Sequence, residues 1–270
     1  MHNIKLTLAY DGTDFSGWQM QPGQPTIQGT LTAVLEKLTQ HRLMIRAAGR
    51  TDAGVHATGQ VANFETHSEL SPSEFQRALN ALLPHSIRVV AAEQVGPHFH
   101  ARWDALAKTY RYRIFRGRVV PPFLWRYVQH DPYPLDYAAM AAAARRFEGE
   151  HDFASFAAST GSEKDDRERT MTRLIYRSEV LRDAGEESAT SAEEWIYVVR
   201  GKSFLRYMVR KIMGTLVEVG RGKLRPEDIP KLFEMRDRSK SGPTMPPRGL
   251  CLAAVEYPDP ANSLRNKVSS

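Results

Sequence analysis

Apolar and polar residues alternate from the start of the chain. In "IKLTLAY", Ile4, Leu6, Leu8 and Tyr10 take one face and Lys5, Thr7 and Ala9 the other, the period of a half-buried strand, and Asp11-Gly12 ends it with turn chemistry. The period then changes: Ile27, Leu31, Val34, Leu35 and Leu38 recur at helical spacing, a short apolar piece "LMIRA" follows, and "QVANFE" reads as a strand again. Ser71-Pro72-Ser73-Glu74 combines an N-cap serine, proline at the first helical position and glutamate at the capping-box position. Phe75, Leu79, Leu82 and Leu83 supply the apolar stripe of that helix, Pro84 stops it, and "SIRVVAAEQV" predicts another strand. Residues 1–95 therefore read β-α-β-β-α-β, the split pattern of ferredoxin-like folds.

The remainder repeats this order. "AKTYRYRIF" predicts a strand, "LDYAAMAAAARRFEGE" an alanine-rich helix, and "MTRLIYRSEV" and "EWIYVVRG" two strands. A helix over "SFLRYMVRKIMGTLVEVG", a short one from Pro226 and a last strand "LCLAAVEY" complete it. The halves are 1–104 and 105–270, alike in element order without residue-level repetition. Long loops at 16–26, 116–134 and 238–249 are candidates for function. The stretch "DAGEESATSAEE" (183–194) is expected to join two strands, and the tail after Pro258 to fray.

Composition narrows the partners. The chain has 270 residues, enough for one large domain or two ordinary ones, and 37 Lys and Arg against 31 Asp and Glu give a net charge of +6. Five carboxylates sit together in 183–194, so the rest of the surface is more basic than this average, which suits a polyanion. Cys251 is the only cysteine, so no internal disulfide can form; a cytosolic location and a small buried strand residue are expected. No run of signal-peptide or membrane-spanning length occurs.

Candidate chemistry centres on "AAGRTDAGVHATGQ" (47–60), where Arg50 and Asp52 stand among small residues. Such a run gives room for close backbone approach, and Asp52 suits a nucleophile or base; an Arg-Thr-Asp triplet between strands equally serves as a hydrogen-bonded turn. The run lacks the Lys-Ser/Thr of a P-loop and the glycine spacing of a dinucleotide site. His98 and His100 alternate in "HFH" without a second set of metal ligands, so packing or surface histidines are expected. In "KTYRYRI", alternation puts Lys108, Tyr110, Tyr112 and Ile114 on one face and Thr109, Arg111 and Arg113 on the other, which fits either stacked bases beside phosphates or an ordinary core strand. In the helix over 203–220, Phe204, Met208, Ile212 and Leu216 form an apolar stripe and Lys202, Arg206, Arg210 and Gly214 a second line. Arg210 then lies mid-helix, placed to pair with a buried carboxylate and keep it ionised.

Five segments, "YDGTDFSGWQ", "AAGRTDAGVHATGQVANF", "KTYRYRI", "FLRYMVRKIMG" and "MPPRGL", occur in order over nearly the whole chain and resemble the tRNA pseudouridine synthase A family. The resemblance implies a mixed α/β fold of the α+β type, in which two ferredoxin-like, RRM-like halves form a mainly antiparallel central sheet flanked by helices. It implies a cytoplasmic homodimer that isomerises uridine to pseudouridine at positions 38, 39 and 40 of the tRNA anticodon stem-loop by base flipping, without metal or cofactor. Asp52 matches the nucleophilic aspartate, Tyr110 the tyrosine stacked on the target uracil, and Arg210 the aspartate's basic partner. Arg50 matches the arginine that displaces the target nucleotide, and Leu250 an apolar wall residue; Met245 stands where alanine is common in the family. The residues alone also fit a non-catalytic RNA-binding module with a tyrosine platform, or, given clustered carboxylates, a metal-dependent nuclease.

Overall fold

A computed structural model describes residues 1–158, 170–183 and 193–258. Most of the acidic stretch 183–194 and the tail after Pro258 lie outside the described residues. The chain folds as two compact units, one of residues 1–108 with 252 onward, the other of 109–251. Each carries a mainly antiparallel sheet with helices packed on it, the mixed α/β class expected from the sequence.

The first unit is built from strand β1 (His2–Tyr10), helix α1 (Ile27–Thr39), a two-residue strand β2 (Arg46–Ala47), β3 (His56–Thr66), α2 (Pro72–Leu82) and β4 (Ile87–Val95). This is the predicted β-α-β-β-α-β order. β1 runs antiparallel to both β3 and β4, pairing Ile4 with Phe64 and with Gln94. Besides β1, β3 serves two neighbours: its Ala62 and Asn63 pair with β2, while Gly59 faces Ala253 of β10 (Leu250–Glu256), so closely that a Cβ on Gly59 would lie 2.4 Å from the Ala253 carbonyl oxygen. The capping box at Ser71 forms as its residues dictate, Glu74 N–H donating to Ser71 Oγ and Ser71 N–H donating to Glu74 Oε2. Phe75 of α2 meets Phe64 edge-on at 5.4 Å and both are fully buried, so the helix stripe and strand face share one core. Asn3 and Asn63, buried in the sheet, fix the 96–101 segment: Asn3 Nδ2 donates to the Gly96 and Phe99 carbonyls, and Asn63 Oδ1 accepts from Ala101 N–H.

The second unit holds β5 (Ala107–Phe115), of which its first two residues belong to unit one, then β6 (Gln129–His130), α3 (Tyr137–Arg145), β7 (Gly149–Asp152), β8 (Thr172–Asp183), β9 (Glu194–Gly201), α4 (Met208–Gly220) and α5 (Ile229–Met235). Its strand order is β5-β9-β8-β7, with the short β6 parallel to β5. Phe147, Phe153, Phe156 and Phe233 pack edge to face in its core. Three expectations need correction. The alanine-rich helix stops at Arg145, and Gly149 at φ +102° turns the chain into β7. The helix over 203–220 begins only at Met208, because Tyr207 takes φ 62°. Cys251 is half-buried, β10 having one face less covered than a core strand.

Candidate active site

In the first unit, Arg50, Thr51 and Asp52 lie on the loop 48–55 between β2 and β3. The loop is held through its middle residue. Thr51 is buried, its Oγ1 is 2.9 Å from the Tyr10 hydroxyl, and its carbonyl accepts the Trp18 N–H at 3.0 Å. Gln60, fully buried on β3, donates from Nε2 to the Gly49 carbonyl at 2.9 Å and to the Tyr10 hydroxyl at 3.3 Å. With Thr51 turned into the core, its neighbours stay accessible: Arg50 is exposed and Asp52 half-buried. A turn follows, with Val55 N–H donating to the Asp52 carbonyl at 3.1 Å and Gly54 at φ +75° donating to the Phe15 carbonyl.

These contacts explain why "YDGTDFSGWQ" accompanies the Arg-Thr-Asp segment: the two are layers of one structure. A Cβ on Gly12 would sit 2.0 Å from the Val55 oxygen, and one on Gly17 2.8 Å from the Thr51 oxygen. Gly12 and Gly17 therefore give room to the Arg50-Thr51-Asp52 loop and the turn after it.

In the second unit, β5 alternates as its sequence predicts, with Tyr110, Tyr112 and Ile114 buried and Arg111 exposed. Tyr110 is 7% exposed and meets Phe204 edge-on, with ring centroids 5.0 Å apart. Phe204 thus acts from the segment before α4, outside the helical stripe the sequence assigns to it. Arg210 stands in the first turn of α4 rather than mid-helix. A cation there opposes the helix dipole, so other groups must hold it. Its Nε donates to the Met245 carbonyl at 2.6 Å, Met245 N–H donates back to the Arg210 carbonyl at 3.2 Å, and its guanidinium lies 4.7 Å from the Tyr207 ring centre. Tyr207 is the left-handed residue, a strained conformation for a bulky side chain and one that recurs at functional sites.

The loop before β10 is clamped at both ends. Gly242 N–H donates to Thr215 Oγ1 at 2.9 Å, and a Cβ on Gly214 would lie 1.8 Å from the Pro243 oxygen, so "RKIMG" ends in glycine because this loop crosses the helix there. Gly214, counted with a basic line in the sequence, is a packing residue. At the far end the Tyr112 hydroxyl donates to the Pro246 carbonyl at 2.9 Å, and burial pushes its pKa well above the ordinary tyrosine value. A 3-10 turn, Pro247–Gly249, delivers the buried Leu250 to the start of β10.

One residue on the tyrosine face is more unusual than its sequence position shows. Lys108 is only 8% exposed, though its ammonium nitrogen still reaches solvent. Burial lowers its pKa, with Arg102 adding a second, repulsive contribution. His100, by contrast, serves the local backbone, because its Nδ1 accepts from the Arg102 and Trp103 N–H groups. Among the described residues no group of three or more His, Cys, Asp or Glu is arranged to hold a metal, and no helix is long and apolar enough to cross a membrane.

Comparison with known proteins agrees with the motif resemblance. A family model described as tRNA pseudouridine synthase matches residues 7–104 and 143–258. The chain is 46% identical over 257 residues to tRNA pseudouridine synthase A of Solibacter usitatus, covering 95% of this chain and 100% of that protein. It is 45% identical to the Moorella thermoacetica protein of the same name, over 94% of this chain and 99% of that one, and 45% identical to the one from a Geobacillus species, over 94% and 98%. The chain belongs to the tRNA pseudouridine synthase A family.

Proposed function

We propose that this protein isomerises uridine to pseudouridine in tRNA, at positions 38, 39 and 40 of the anticodon stem-loop, as a cytoplasmic homodimer. Asp52 is the catalytic carboxylate, Tyr110 stacks on the target uracil, Arg210 is the basic partner of Asp52, Arg50 displaces the target nucleotide, and Leu250 walls the pocket. The observation that carries this reading is the bracing of the Arg50-Thr51-Asp52 loop through Thr51, which fixes a half-buried carboxylate beside an exposed arginine. Preorganisation of that kind is what a reaction at one carbon atom requires.

The chemistry is balanced without an external reagent. The glycosidic bond from N1 to C1′ breaks, the uracil turns, C5 bonds to C1′, the C5 proton leaves and N1 takes up a proton, so the product is an isomer and no electrons are gained or lost. One ionised carboxylate suffices, whether it attacks the uracil, attacks C1′ or removes the 2′ proton. A target in a stem must first be unstacked at a cost of about a few kcal/mol, which Arg50 offsets by filling the vacated space and basic residues offset through phosphate contacts.

The test is tritium release from tRNA carrying 5-tritiated uridine. The unaltered protein is expected to release tritium, and Asp52→Asn to bind tRNA while losing at least about a thousandfold in rate. Near-normal turnover by Asp52→Asn overturns its role. Binding without any release by the unaltered protein favours a non-catalytic RNA-binding module.

A further inference from the structure

Non-glycine residues take the left-handed region at three places among the described residues, and two of them are ordinary. Gln40 (φ 58°) and Arg236 (φ 50°) follow the last turns of α1 and α5, where that conformation closes a helix. Tyr207 (φ 62°, ψ 0°) stands instead at the N-cap of α4. There the backbone is normally extended, and a Ser, Thr, Asp or Asn side chain accepts an N–H of the new helix. Tyr207 makes no such bond, so the residue suits neither the conformation nor the cap. Two local rules broken at one residue mark a side chain that serves something other than its helix. What the ring meets is cationic. The Arg210 guanidinium lies 4.7 Å from its centre and that of Arg206 4.8 Å, with Arg206 Nη2 donating to the Tyr207 hydroxyl at 3.2 Å. Arg210 is the third residue of α4, so the ring faces the side chain of a residue whose N–H a capping group would bond. A guanidinium at that end of a helix is repelled by the dipole, and an aromatic face offsets part of the repulsion.

We propose that Tyr207 is a positioning residue for Arg210. Its ring and the Met245 carbonyl together set the guanidinium, the carbonyl by accepting from Nε at 2.6 Å and the ring by lying against the flat group. The strained backbone at 207 is what aiming the ring there requires. The proposal rests on the reading of Arg210 as the basic partner of the catalytic carboxylate, and it gives Tyr207 no contact with the reacting atoms.

The experiment uses full-length protein, with tritium release from tRNA carrying 5-tritiated uridine giving kcat and KM, and thermal melting giving Tm. Tyr207→Asn supplies a residue that enters the left-handed region readily and can cap a helix, but has no ring. It is expected to melt no lower than the unaltered protein while kcat falls about ten- to a hundredfold and KM stays within about threefold, the pattern of a displaced catalytic group. Tyr207→Phe keeps the ring without the hydroxyl and should hold kcat within about threefold. Three results overturn the proposal: unchanged kcat in the Asn variant, an Asn variant that does not fold or melts lower in step with its loss of rate, or a Phe variant as slow as the Asn variant. Arg210→Lys keeps the charge and removes the flat group that the ring faces, so adding Tyr207→Asn to it should cost less than about threefold more. A full further loss in that background means that the ring acts elsewhere and also overturns it. Arg210→Ala separates the two readings. Normal turnover by that variant sinks the role of Arg210 itself, whereas a slow Arg210→Ala beside a fast Tyr207→Asn sinks that of Tyr207 alone.

Discussion

The two units hold their candidate residues by different means. In the first, Arg50 and Asp52 sit on a loop, and the loop is positioned by side-chain hydrogen bonds from Tyr10 and Gln60 and a backbone bond from Trp18. In the second, Tyr110 is on a strand, Arg210 in a helix turn and Leu250 at a strand start, positioned mainly by backbone ladders and by close approach at Gly214 and Gly249, with side-chain bonds from Arg210, Tyr112 and Thr215 added. A loop has no ladder to fix it and depends on a few specific polar groups, whereas regular elements depend on absence of bulk where they cross.

The largest expected effect tests the second unit. Gly214→Ala puts a Cβ where the Pro243 oxygen now lies 1.8 Å away, so either the helix or the 242–249 loop must move, loosening Met245 from Arg210. A loss of about 3 kcal/mol in urea unfolding is expected, with tritium release falling to a few per cent. A stable, active Gly214→Ala variant would break the contrast, since close approach would then not be what positions Arg210.

Much of this was legible in the residues. The period-two strands, the stripe of α1, the capping box at Ser71 and the β-α-β-β-α-β order all follow from local pattern, because each depends on neighbours within a few positions. The start of α4 did not, since Tyr207 enters the left-handed region without the glycine or asparagine that usually marks it. The reason for the small residues at 12–17 and at 214 was also hidden, because their partners, Thr51, Val55 and Pro243, lie some thirty or more positions away. Alternation in "KTYRYRI" gave the face of Lys108, while the extent of its burial is visible only once the elements around it are placed.

A matched pair of hydroxyl deletions sharpens the contrast at smaller scale. Tyr10→Phe removes the bond to Thr51 in the loop, and Tyr112→Phe removes the bond to the Pro246 carbonyl beside a strand. Each should cost about 1 kcal/mol of stability. Their effects on turnover should part: about tenfold in kcat for Tyr10→Phe, through displacement of the Asp52 loop, and less than about threefold for Tyr112→Phe. Equal losses in kcat would mean that the two units position their residues alike.

The smallest expected effect concerns Lys108, which like Tyr110 is carried by a strand. Burial lowers its pKa from the ordinary lysine value of 10.5, and the charge on Arg102 lowers it further. A base depressed on folding adds stability that is fully present above the unfolded value and is lost as pH falls through the folded one. At neutral pH the Lys108 ammonium therefore opposes folding, and Lys108→Met is expected to raise the Tm by about 2 °C if the relief is about 1 kcal/mol. The difference between the two proteins should narrow as pH rises into the window just below 10.5, where the folded wild-type side chain loses its proton. A Met variant less stable than wild type at neutral pH would make Lys108 a residue the fold itself uses, and burial of its charge would then not be a net cost.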